Sequence, residues 1–233
     1  MKTLLFFFAF SLIATLANAQ DCLGIKFKPG TSYEMLSYSA KDKPTGRMIY
    51  TIKDVKSEGG STLISIVMQS FDDKDKPAPE MAVKYTCTGD ELIADLSGVV
   101  LATNDAMKDM EVRIKTNKLV YPKQLSAGST LADGELEAET YNKDTKMMDM
   151  SIKVVNRKVE SKESLTTPAG TFDVYKIGSD INLANRMMGI PIRVAFRSIS
   201  YRAADVLFDI KTETYNKNGK LKGYTVLSKL SDK

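Results

Sequence analysis

Hydrophobic and polar residues alternate along most of the chain. Met148, Met150, Ile152 and Val154 are separated by Asp149, Ser151 and Lys153, and Met110, Val112 and Ile114 by Glu111 and Arg113. Met48, Tyr50 and Ile52 follow the same rule, as do Ile192, Val194 and Phe196. A period of two means strands with one buried and one wet face. Helical periodicity is scarce, and only residues 97–108 and 180–189 admit a short helix.

Turn chemistry supports the same reading. Glu-Thr-Tyr-Asn-Lys stands at 139–143 and again at 213–217, the second copy running into Asn218-Gly219. Asn-Gly between apolar runs predicts a hairpin in which both residues tolerate positive φ. Tyr38 to Pro44 and Phe71 to Pro77 are two further tips, each led by an aromatic residue and carrying lysines. All four look like one hairpin device used repeatedly, at spacings too uneven for a solenoid or propeller. Thr167-Pro168-Ala169-Gly170 has the residue order of a type I turn. No linker divides the chain, and Tyr121 to Gly134 reads as a loop within one continuous sheet. The expectation is an all-β fold, an antiparallel meander of hairpins forming a barrel or curved half-barrel.

The first nineteen residues depart from this pattern. Lys2, the apolar run Leu4 to Ile13 and the small residues Ala17 and Ala19 form a secretory signal peptide, too short to span a bilayer. Residues 20–233 are then a single β domain beginning at Gln20, placed in the periplasm, outside the cell or on its surface.

Composition narrows the chemistry. The chain has no histidine, which removes histidine-activated nucleophiles, histidine-ligated zinc and histidine general bases. It has no tryptophan for an indole saccharide platform, although the tyrosines could serve. The net charge of +4 is dispersed among interleaved acids and lysines, with no basic stripe to follow a nucleic acid. Asp73-x-Asp75 and Asn142-x-Asp144 have the alternate spacing of a calcium loop, but neither continues as one, and turn chemistry accounts for both. No serine sits on a recognisable nucleophile elbow. Catalytic residues, metal sites and cofactors are therefore expected to be none.

Cys22 and Cys87, 65 positions apart, are the only cysteines, and an even count in an exported chain favours a disulfide. The rival reading is lipid attachment at Cys22, against which Asp21 stands where a lipoprotein signal has a small residue. Near the other end, Met187, Met188 and Ile190 beside Gly189 and Pro191 form an adaptable apolar loop suited to a lipid tail or a partner. Alternatively, the two methionines plug one end of the barrel.

Three stretches carry a family resemblance: Tyr85 to Asp90, Thr167 to Ile177 with its Pro-Ala-Gly-Thr-Phe, and the last hairpin from Glu213 to Tyr224. Together they resemble the TapB-like family of exported bacterial proteins, a domain of unknown function. The resemblance implies an antiparallel β fold of the Gram-negative envelope, similar in shape to lipoprotein carriers, and brings no catalytic residues. Where the family has a Gly-Val-Gly-Leu-Val turn, this chain has Ala204 to Asp209, which puts a tight backbone approach there in question. The resulting expectation is a non-catalytic exported protein binding an apolar ligand or an exported partner. A structural envelope subunit pairing through edge strands is the alternative, and a hydrolase the least favoured.

Overall fold

From β3 onward each strand pairs antiparallel with the next, and the last returns to an early one. The structure, a computed structural model, describes residues 20–95, 111–187 and 190–231. A small hairpin comes first, β1 (Gln20–Cys22) and β2 (Ile25–Phe27). Then follow β3 (Ser32–Ser39), β4 (Pro44–Glu58), β5 (Ser61–Asp72), β6 (Met81–Cys87), β7 (Glu91–Asp95) and β8 (Glu111–Pro122). The second half comprises β9 (Gly134–Asn142), β10 (Thr145–Thr167), β11 (Gly170–Met187), β12 (Ile190–Ala203), β13 (Lys211–Asn216) and β14 (Leu221–Ser231). Strands β3 to β14 form a closed antiparallel barrel in sequence order, sealed where β14 pairs with β3. Where the strands run the full circuit, closure removes the edges that an open sheet of this size would leave.

Two segments fill the barrel. The β1–β2 hairpin buries Cys22, Ile25 and Phe27 in the core, and the Cys22–Cys87 disulfide ties it to β6 across a Cα–Cα distance of 6.1 Å. The connection from β12 to β13 buries Val206, Leu207 and Ile210. Its Phe208 ring lies 4.2 Å from Tyr50, 5.0 Å from Tyr33 and 6.0 Å from Tyr85, centroid to centroid. The stretch that departs from the family's glycine-flanked turn is thus a wedge of apolar side chains.

Arg202 anchors that wedge. Its guanidinium donates to the Asp209 carboxylate at 3.1 Å and to the Leu207 carbonyl at 3.1 Å, and lies 4.1 Å from the Tyr121 ring centroid. On the same ring, at 4.9 Å, is Arg157, only 1% exposed, which donates to the Val120 and Ala132 carbonyls at 2.9 and 2.6 Å. The loop after β8 straps β10 at its irregular register: Gly128 N–H donates to the Val159 carbonyl, Val159 N–H to that of Ser129, and Leu131 N–H to that of Arg157.

Three sequence expectations need correction. Residues 180–187 are strand, not helix: Ile181 and Leu183 alternate with Asp180 and Asn182, and β10 and β12 flank them in register. The other helical stretch, 97–108, lies outside the described residues. At Asn218-Gly219 only the glycine has positive φ, at 73°. Finally, three of the four tips share one device and the fourth does not. Ser39, Asp72 and Asn216 each accept, on one side-chain oxygen, the N–H groups two and four residues on, while Asp42, Asp75 and Gly219 three residues on take positive φ. After Asn142 that third residue would be Thr145, whose branched side chain resists positive φ. The chain turns instead through Lys143 at φ 52°, and Asn142 pairs with Thr145. At the Thr167–Gly170 turn, Pro168 and Ala169 both avoid positive φ, as a type I turn requires.

Candidate functional site

The strands of the barrel differ greatly in length, and this creates its most distinctive surface. Among the described residues, strand β13 meets β12 only between Phe196 and Tyr201, and β7 meets β8 only between Leu119 and Pro122. Beyond those points β8 to β12 continue together as a five-stranded wing.

Its register places one apolar set on a single face. Val112 pairs with Thr140, Thr140 with Met148, Met148 with Met187, and Met187 with Ile190. The next row is Ile114, Ala138, Met150, Asn185 and Ile192, and the row after it carries Leu136, Ile152, Leu183 and Val194. Residues on β9 and β10 are buried, with Leu136, Ala138, Met148, Met150, Ile152 and Val154 in one cluster. At the margins the face is open: Ile114 is 45% exposed, Ile190 67%, Ile192 51% and Val194 50%. A contiguous exposed apolar margin of this kind marks a place where something apolar is met.

Two polar side chains interrupt the set, Asn185 on β11 and Thr140 on β9. The Thr140 hydroxyl is buried, and among the described residues it alone is a buried side-chain polar atom without a hydrogen-bond partner. Such a group costs roughly 1–3 kcal/mol unless something bonds it.

The opposite face of the wing is charged, and several of its charges pair with one another. Glu139 binds Lys115 at 2.7 Å and Lys146 at 3.2 Å, and these hydrogen bonds hold its carboxyl down to about 2. Glu111 on β8 is likewise lowered, by hydrogen bonds from Arg113, and away from the wing Asp54 on β4 is lowered by Lys56. Glu213 is lowered as well: burial opposes its ionisation, but Lys211, Tyr215 and Tyr201 all donate to it. A general acid needs a carboxyl shifted the other way.

Of the residues read as a possible apolar loop, Met187 closes β11 and Ile190 opens β12, so the loop is the tip of a long hairpin at the wing's margin. Met188 lies outside the described residues. Thr140 carries no signal in the sequence, since a threonine on a strand is ordinary. Of the calcium-like spacings, the first is engaged in turn structure: Asp72 takes two backbone N–H groups, and Asp75 pairs with Arg47 at 2.8 Å.

Comparison with known proteins places this architecture. The model of the DUF3108-like family matches residues 28–227. A crystal structure of a candidate lipoprotein from Parabacteroides distasonis superposes with a TM-score of 0.69 at 25% identity, covering 91% of this chain and 100% of that one. A candidate exported protein with a YmcC-like fold from Bacteroides fragilis gives 0.67 at 17% identity, with the same two coverages. No curated protein matches the chain.

Proposed function

The chain belongs to the DUF3108-like family, and from that membership we propose that it is an exported, non-catalytic β-barrel protein that holds an apolar ligand along the inner face of the wing. The observation that carries this reading is the largely apolar face itself, spanning five strands, open at Ile114 and at Ile190, Ile192 and Val194, and containing the unpartnered Thr140 hydroxyl. A ligand with an apolar body and one hydrogen-bonding group would satisfy both features. Ile190, at the start of β12, stands at its open margin. Export rests on the signal-like residues 1–19 and on the structural neighbours described as a lipoprotein and an exported protein. A non-catalytic role rests on the absence of histidine and on the lowered carboxyls.

The test is displacement of a fluorescent fatty acid from the mature protein. The pair Ile192→Glu and Val194→Glu together should abolish uptake and leave thermal melting nearly unchanged, because both side chains are half-exposed. Wild-type protein that takes up no apolar probe would sink the reading.

A second reading has its own observation. Among the described residues, Ile190 to Ala195 pair with β11 on one side and with no strand on the other. An exported partner could add a strand there. Retention of one identified envelope protein by wild-type protein, lost in the same double variant, together with no probe uptake, would favour it.

A further inference from the structure

At the end of the barrel holding the β1–β2 hairpin, a cleft of about 300 Å3 opens beside Tyr121, away from the wing. Leu23 and Ile25 of the hairpin form part of its wall, and Leu125 and Tyr175 another part. Arg202, buried, and Lys123, exposed, supply its charges.

Among the described residues, no carboxylate lines this cleft. Asp209 engages one Nη of Arg202, and the Leu207 carbonyl the other. A guanidinium has five N–H donors in a planar fork, so donors remain for a second acceptor. Arg157 adds a second buried cation against the same ring, Tyr121, and its direct acceptors at Val120 and Ala132 are neutral carbonyls. Asp209 and the exposed Asp133 act on Arg157, but neither reaches the cleft. The mouth is therefore positive at an apolar-walled cavity, where a charge-assisted hydrogen bond gains strength from the low local dielectric.

We propose that this cleft binds a small anionic amphiphile, its carboxylate on Arg202 with Lys123 nearby and its apolar body against Leu23, Ile25, Leu125 and Tyr175. Its volume admits about ten non-hydrogen atoms, at the roughly 30 Å3 that a molecule occupies in liquid water. That is the size of a medium-chain carboxylate, and the site stands apart from the wing and does not depend on it.

The experiment is calorimetric titration of mature, disulfide-bonded protein with sodium octanoate, with octan-1-ol as the same body without charge and inorganic phosphate as charge without body. Octanoate should bind at least roughly tenfold more tightly than either, the difference a charge-assisted hydrogen bond makes. Lys123→Glu, an exposed change, should weaken octanoate by roughly tenfold, and Ser126→Trp should block the cleft. The Ile192→Glu and Val194→Glu pair should leave octanoate affinity intact. Equal binding of octanoate and octanol, phosphate binding as tight as octanoate, indifference to Lys123→Glu and Ser126→Trp, or loss of octanoate in the wing variant would each overturn the proposal. These two surface variants, rather than Arg202 substitutions, carry the test, because Arg202 also supports the core.

Discussion

Asp72 and Asn216 hold two distant hairpins in the same way, each using one side-chain oxygen to accept the N–H groups two and four residues on, at 2.9–3.0 Å. Asp72→Ala and Asn216→Ala should each lower stability by about 1–2 kcal/mol, since two backbone groups lose their acceptor. Asn142→Ala, at the tip that turns differently, should cost no more than about 0.5 kcal/mol. Urea denaturation of the three variants decides it, and equal losses at all three would refute the distinction.

Asp209→Ala should be far more damaging. It leaves the buried Arg202 guanidinium without its carboxylate and frees the wedge carrying Leu207 and Phe208. Removing one partner of a buried pair costs about 3–5 kcal/mol, and the slight exposure of Asp209 places this variant at the lower end of that range. The same denaturation assay measures it, and a loss below about 1 kcal/mol would mean that the pair behaves as a surface contact.

Reduction should loosen the barrel from inside. For a closed loop of 65 residues, the chain-entropy model assigns the disulfide about 4 kcal/mol. Replacing Cys22 and Cys87 by Ser also puts hydroxyls into the apolar core, so the double variant should lose at least that much. Comparing oxidised, reduced and Ser-substituted protein in guanidinium separates the two contributions. Two titratable thiols in the exported protein would show the bond to be absent there.

High pH should unfold the protein through its tyrosines. Burial pushes Tyr50 up to about 12, with the Asp209 charge adding to it, and burial raises Tyr85 and Tyr121 as well. A raised pKa stabilises the fold fully below the unfolded value near 10, and the gain is lost as pH climbs toward the folded value. Stability should therefore fall between about pH 10 and about pH 12, by up to roughly 1.4 kcal/mol per pH unit for each such tyrosine. Tyr50→Phe should flatten the slope. Tyrosinate absorbance that rises well before the loss of β-sheet signal would contradict this.

The barrel was legible where local pattern and long-range pairing agree. Alternation in β4, β8, β10 and β12 marks their faces, and the tips mark their ends. The amphipathic run from Ile181 to Leu183 is too short to separate the two periods, and its two flanking strands decide it. Burial of Arg157 could not be read at all, since it stands between Asn156 and Lys158, and only the strap from Val120 to Ala132 takes it out of water. The same holds for Thr140: its missing partner is a property of its neighbours on β8 and β10, not of its own surroundings in sequence. Arg202 and Asp209, seven residues apart, read as an ordinary loop pair until the wedge between them is seen to fill the core.

The seam at which β14 meets β3 has a bearing on how the chain must be made. Ser32 pairs with Ser231, so the two sides of the final joint are separated by nearly the whole polypeptide. Until the last strand has emerged, β3 and β13 each present a bare edge and the wedge between Ala203 and Lys211 has no complete chamber to occupy. Long-range pairing of this kind is slow and leaves a nascent sheet open to unwanted partners. A chain truncated before Leu221 would carry almost every turn and strand of the protein and still be a template for aggregation.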